Sequence, residues 1–220
     1  MLDPIIITGP ARSRTSMITQ ILELCGLFLG DVIQETKANP QRQLENHHII
    51  KHVQKPHLKR YGFDPKGQNP LPPIEWHEPD PARRDMVLNI MKNQGLKPGM
   101  KWGFKDTKPC LDWRTWHDAF PNAYWIVTER KDTDVINSCM KTSFMSKYKD
   151  KKGWQKYIDD HKVRIKDMFN NLERIYKLNT DDVMFFKFNK LEQIIKEINL
   201  NWNYDKIKAQ VKPIDHGESR

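Results

Sequence analysis

The chain has 220 residues, 38% of them hydrophobic with seven Trp and nine Phe, which is enough for a real core within one domain over residues 1–220. Its formal charge of +9 makes anions accumulate near the surface without choosing among nucleotide, nucleic acid, acidic glycan and membrane headgroup. No uncharged apolar run reaches the roughly 18 residues of a membrane span, and Ile5-Ile6-Ile7 is too short and wrongly flanked for a signal peptide. A soluble, cytoplasmic protein is therefore expected. Cys25, Cys110 and Cys139 are widely spaced and form no C-x-x-C pair, so neither a disulfide framework nor a zinc site is suggested and reduced thiols are expected.

Ile5 to Thr8 is a short β-branched run closed by Gly9-Pro10, and Met17, Ile18, Ile21 and Leu22 then follow at helical spacing. Strand, loop and helix are the reading. Asn39-Pro40 opens a second helix to about Val53. Seven prolines between Pro56 and Pro81 predict an irregular surface excursion. A helix over 82–91, a strand over 101–104, a helix over 113–119 and a strand over 123–128 come next, then helices over 133–145 and 154–178. The last strand is expected at Val183 to Phe188, with a helix over 191–198 behind it. Strands alternating with helices and lacking hairpin signals imply an α/β fold of three layers, α/β/α, around a short parallel sheet. The basic run Lys147, Lys149, Lys151 and Lys152 near Trp154 reads as a solvated turn between helices, since no known nucleic-acid module surrounds it.

In such a sheet the turn after the first strand is where a ligand phosphate sits, because backbone N–H groups and the helix dipole converge there. Laid on the nucleotide pattern G-x-x-x-x-G-K-[ST], the loop Gly9 to Ser16 keeps Gly9 and Ser16 but has Arg14 for the second glycine and Thr15 for the lysine. The cation has moved to Arg12, with hydroxyls at Ser13, Thr15 and Ser16, which argues against a small-molecule or nucleoside kinase. The stretch P-A-R-S-R-T-S resembles the 5′-phosphosulfate loop of sulfotransferases that use 3′-phosphoadenosine 5′-phosphosulfate (PAPS), in their bacterial and viral form. Arg12, Ser13, Thr15 and Ser16 match that motif, and Arg14 stands at its glycine, where it alters the backbone or adds a second cation. The resemblance implies a P-loop-NTPase-like sulfotransferase fold.

A second element of that family is a strand ending in Arg with Ser eight residues later, and Arg130 and Ser138 have that spacing after Tyr124 to Glu129. By resemblance they hold the 3′-phosphate. A guanidinium at a strand's carboxyl end and a hydroxyl two turns into the next helix are able to meet one anion. Trp102-Gly103-Phe104-Lys105-Asp106-Thr107 and Ala119-Phe120-Pro121-Asn122-Ala123 also resemble family segments. The R-K-G element near the end of many members is missing, and Lys206, Lys208 and Lys212 are candidates for its place.

Sulfuryl transfer is an in-line displacement in which the protein positions reactants and stabilises charge on the leaving phosphate. Arg12 and Lys105 are the candidates for that charge. Asn39 to Asn46 resembles the segment that carries the family's acceptor base, which puts Glu45 first, with Glu35, His47 and His48 as rivals. His48 and His52 are four apart but lack a third ligand at motif spacing, so no metal is expected. Trp102, Trp113, Trp116 and Trp125 read as core rather than adenine platforms. The site residues expected are thus Glu45, Arg12 and Lys105 for chemistry and Arg12, Ser13, Arg14, Thr15, Ser16, Arg130 and Ser138 for PAPS. The acceptor stays open among glycan, small alcohol or phenol, and peptide, with nucleic acid and membrane not expected. The competing reading is a non-catalytic anion- or nucleic-acid-binding protein on a nucleotide-binding fold.

Overall fold

The computed structural model describes residues 2–34 and 43–211. Chain order is β1 (Ile5–Thr8), α1 (Thr15–Leu24), α2 (His47–Ile49), a π-helical turn (Ile50–Gln54), α3 (Lys55–Arg60), α4 (Arg83–Asn93) and β2 (Gly103–Lys105). There follow α5 (Trp113–Ala119), β3 (Tyr124–Glu129), α6 (Asp132–Met140), α7 (Lys151–Asn171), β4 (Ile175–Asn179), α8 (Thr180–Met184), α9 (Asn189–Glu197) and α10 (Tyr204–Gln210). All strand pairs are parallel in the order β2-β1-β3-β4, with Ile7 opposite Lys105 on one side and Ile126 on the other. The α/β architecture expected from the sequence is the one observed.

Strand alternation explains why both faces of this sheet are covered. Ile5, Ile7 and Ile126 join α1, α9 and α10 through Ile18, Ile21, Ile194 and Ile207. Ile6, Trp125 and Val127 point the other way, onto Met91 of α4, Trp116 of α5 and Met168 of α7. Trp102 and Trp113 lie in that second core too, so all four tryptophans considered above are buried. A third cluster, Val135, Ile136 and Cys139 with Trp154, Tyr157 and Ile158, packs α6 on α7 at the sheet's carboxyl end. The three cysteines are free and buried.

Several expected boundaries are corrected, and the helix expected over 133–145 ends at Met140. Residues 183–188 are not a strand: the last strand is β4, Ile175–Asn179, and Val183 belongs to α8. The long helix ends at Asn171 rather than 178, because Leu172 is extended (φ −108°, ψ 132°). The helical stripe Ile165, Met168, Leu172, Ile175 runs through that break, which is why periodicity alone did not mark it. The proline-rich excursion starts later than Pro56, since α3 contains that residue at its first turn, where a missing N–H is tolerated. From Tyr61 to Ala82 there is no helix or strand. Side chains pin this segment: Gln68 Nε2 donates to the Phe144 carbonyl (2.9 Å) and Arg114 to that of Ile74 (2.9 Å). Of the helix expected over 39–53, residues 39–42 lie outside the described residues, and α2 begins at His47 with Asn46 as its cap.

Candidate active site

The loop from Gly9 to Arg14 is shaped by what its neighbours leave room for. Gly9 has φ +142°, and a Cβ there would lie 2.6 Å from the Thr128 carbonyl oxygen, so only glycine fits. Ser13 is buried, its hydroxyl bonded to the Pro10 carbonyl (2.7 Å) and the Thr128 hydroxyl (2.7 Å). It ties the loop to β3 rather than facing outward. Ala11 N–H donates to the Tyr157 hydroxyl (2.9 Å), a support from α7 that the sequence did not signal. Ser16 Oγ donates to the Gln43 carbonyl (3.0 Å).

Arg12 (φ 72°) and Arg14 (φ 62°) are both left-handed, a conformation costing a non-glycine residue about 1–2 kcal/mol. At position 14 the backbone keeps the conformation glycine would take. The guanidinium is not a free second cation, because Arg14 Nη1 pairs with Asp181 Oδ1. Arg14 is also the N-cap residue of α1, which has no side-chain cap and no acidic residue in its first turn. Met17 N–H bonds back to the Arg14 carbonyl (3.1 Å), so among the described residues the Thr15 and Ser16 amides are the first-turn N–H groups left for an exogenous anion.

The second motif meets the first here. Arg12 Nε donates to Ser138 Oγ at 2.9 Å across 126 residues of sequence. Arg130 Nη1 donates to the Arg12 carbonyl (3.2 Å), and Arg130 Nη2 lies 3.7 Å from Asp134. Burial, with Arg14 and Arg12 close by, lowers the Arg130 pKa from its ordinary value, although a guanidinium stays charged. Its buried Nε has no partner among the described residues. A half-buried cation with an unanswered donor, beside two further guanidiniums, is chemically able to hold an anion.

Glu45 and Lys105 also come together. Lys105, at the carboxyl end of β2, donates from Nζ to Glu45 Oε1 (2.8 Å) and to the Gln43 carbonyl (3.2 Å). Burial pushes the Glu45 carboxyl up, but Lys105 and Lys108 outweigh it and the net pKa lies below the ordinary glutamate value. Behind this pair Lys108 is ion-paired with the buried Asp106. His47 and His48 lie exposed on α2, and Glu35 lies outside the described residues. Lys206 and Lys208 are exposed on α10, Lys208 over the Tyr204 ring at 5.6 Å, and Lys212 lies outside the described residues. The basic run ends at the start of α7, where Asp150 caps the helix through the Gly153 amide, and its lysines are exposed. Among the described residues no group of three His, Cys, Asp or Glu side chains could hold a metal ion.

Asp181, Thr128, Tyr157 and Lys108 were missed by sequence reasoning. For Asp181 a signal existed: Asn179 followed by Thr180-Asp181-Asp182 is a helix-start pattern, and Asn179 accepts from the Asp181 amide (2.9 Å). Nothing in the sequence marks the other three.

Fold and site together define an α/β protein whose anion-binding candidates lie at the carboxyl edge of a parallel sheet, around the loop after the first strand. The fold is similar to that of solved sulfotransferases. The sulfotransferase domain from the curacin biosynthetic pathway matches with TM-score 0.55 at 14% identity, over 97% of this chain and 79% of that one. The corresponding domain of the Synechococcus PCC 7002 olefin synthase gives TM-score 0.57 at 12% identity, over 97% and 78%. A sulfotransferase from Alicyclobacillus acidocaldarius gives 0.56 at 11% identity, over 98% and 88%. No protein-family model and no curated protein sequence matches the chain. The chain has the sulfotransferase fold.

Proposed function

We propose that this protein is a PAPS-dependent sulfotransferase, one cytoplasmic domain that moves a sulfuryl group onto an acceptor hydroxyl or amine. The observation that carries the reading is the hydrogen bond between Arg12 and Ser138. It joins two motifs that are far apart in sequence and that separately resemble the 5′- and 3′-phosphate elements of one nucleotide. The uncapped start of α1 and the unpartnered Nε of Arg130 supply further donors for a doubly phosphorylated ligand.

In this reading the bond from sulfur to the 5′-phosphate oxygen breaks as the acceptor oxygen or nitrogen bonds to sulfur. Adenosine 3′,5′-bisphosphate (PAP) leaves, carrying the negative charge. Arg12 and Lys105 stabilise that charge, which grows only in the transition state. Thr15 and Ser16 at the start of α1 bind the 5′ side, with Ser13 and Arg14 shaping the loop behind them, while Arg130 and Ser138 bind the 3′-phosphate. Glu45 takes the acceptor proton. Its Oε1 accepts from Lys105, so a shift of Lys105 toward the leaving phosphate makes the carboxylate more basic as the charge develops. No metal takes part. The acceptor is a glycan, a small alcohol or phenol, or a peptide hydroxyl.

Thermal melting with PAP, ATP and an oligonucleotide at equal ionic strength tests the reading. Stabilisation by PAP alone is expected, growing with concentration as mass action requires. Stabilisation by ATP but not PAP would favour a kinase, and by oligonucleotide alone a nucleic-acid binder.

A further inference from the structure

Asp181 is the carboxylate on which both halves of the candidate anion site converge. Its Oδ1 accepts from Arg14 of the first loop and its Oδ2 from the Lys131 amide (3.0 Å) of the second. The residues around it are themselves fixed. Asn179 caps α8 through the Asp181 amide (2.9 Å), and Thr180 Oγ1 donates to the Glu129 carbonyl (2.8 Å), so α8 is docked on the end of β3. Arg14, meanwhile, holds a left-handed backbone (φ 62°, ψ 29°) at the start of α1 without any side-chain cap. Glycine adopts that conformation freely, whereas arginine needs something outside its own backbone to hold it there.

We infer that Asp181 is a positioning residue: by clamping Arg14 and the Lys131 amide at once, it holds the two anion-binding loops in register and stabilises the left-handed turn at position 14. The inference rests on the sulfotransferase reading only for its effect on nucleotide affinity, since the clamp itself exists without ligand. It also makes an electrostatic prediction of unusual sign. Asp181 is a negative charge beside Arg14 and Arg130, so if it acted through charge alone, neutralising it would tighten anion binding. If it positions the loops, neutralising it weakens binding.

Two measurements on the full chain decide this. The first is amide hydrogen exchange without nucleotide, followed at Ala11, Ser13, Met17 and Ile18 of the first loop and the start of α1, and at Lys131, Asp134 and Val135 of the second loop and the start of α6. Asp181→Ala should speed exchange about tenfold at both sets, the ratio expected when a left-handed residue loses its support, with β1 and β3 unaffected. Adding Arg14→Gly should restore the first set and leave the second fast, because glycine needs no clamp and the Lys131 amide still lacks its acceptor. Should Asp181→Ala loosen the entire chain, Asp181→Asn decides, as it retains an oxygen for the Lys131 amide and should loosen only the first set. Unchanged exchange in Asp181→Asn, or no recovery on adding Arg14→Gly, overturns the clamp.

The second is titration of Asp181→Asn with PAP, where affinity about tenfold weaker than wild type is expected and tighter binding contradicts positioning. If wild-type protein does not bind PAP, the sulfotransferase reading fails while the exchange result still stands or falls by itself.

Discussion

Two arginines in one six-residue loop hold left-handed backbones, and they have opposite fates. Arg14 is neutralised by Asp181, whereas Arg12 reaches across to Ser138 through Nε and is in no ion pair among the described residues. If Arg12 meets charge that develops on the leaving phosphate, Arg12→Ala should lower turnover by roughly 10²- to 10³-fold while PAP affinity falls much less. Steady-state kinetics beside a PAP titration checks this, and a loss confined to affinity would contradict it. Glu45 offers a second test. Because Lys105 and Lys108 hold its carboxyl below the ordinary glutamate value, Glu45 is ionised throughout the neutral range, and if it is the base the acidic limb of the pH–rate profile should lie low. Glu45→Gln should cut turnover by about 10²- to 10⁴-fold and abolish that limb, whereas Lys105→Met should move it to higher pH by removing the cation that depresses it. A limb near neutrality that survives Glu45→Gln would pass the role to His47 or His48.

Among the elements, those whose local signals agreed with their packing were legible in the sequence. Ile5 to Thr8, the Gly9-Pro10 turn and the periodic Met17 to Leu22 are strand, loop and helix because β-branching, turn chemistry and helical spacing each point the same way. β4 was not legible. It is an edge strand whose apolar residues continue the stripe of α7, and it became visible only through its pairing with β3. The misplaced strand at 183–188 hid Asp181 with it, since a residue expected before a strand has no reason to face the first loop. Tyr157 was illegible for a different reason: its hydroxyl supports Ala11 from 146 residues away, a contact that only tertiary structure creates. The helices carry a pH consequence as well. His57 of α3 and His161 of α7 are buried, and desolvation lowers both to about 4. The unfolded chain binds protons at ordinary histidines near 6.5, so between about pH 6.5 and 4 it holds more protons than the folded one. Stability should therefore fall as pH drops through that window, with a slope of up to about 1.4 kcal/mol per pH unit for each histidine. Urea unfolding at several pH values measures it, and replacing both by glutamine should flatten the slope. An unchanged slope would mean that these rings are already charged in the folded state.

At the scale of the whole molecule, parallel pairing puts the carboxyl ends of β1, β2 and β3 along one edge, and that edge collects Arg12, Lys105 and Arg130 from three separate stretches of chain. The +9 charge distinguishes no ligand, whereas the proposed function makes a specific demand of this arrangement: one cation group for the 5′ side of a nucleotide and another for its 3′-phosphate. The direct measurement is calorimetric titration of the wild-type protein and Arg130→Ala with PAP and with adenosine 5′-phosphate, which lacks only the 3′-phosphate. The wild type should prefer PAP, and Arg130→Ala should weaken PAP binding by roughly 10- to 100-fold, the cost of about 1.5–3 kcal/mol for a lost charge-assisted contact, while adenosine 5′-phosphate binding changes little. Equal losses for the two ligands, or no preference for PAP in the wild type, would contradict the assignment.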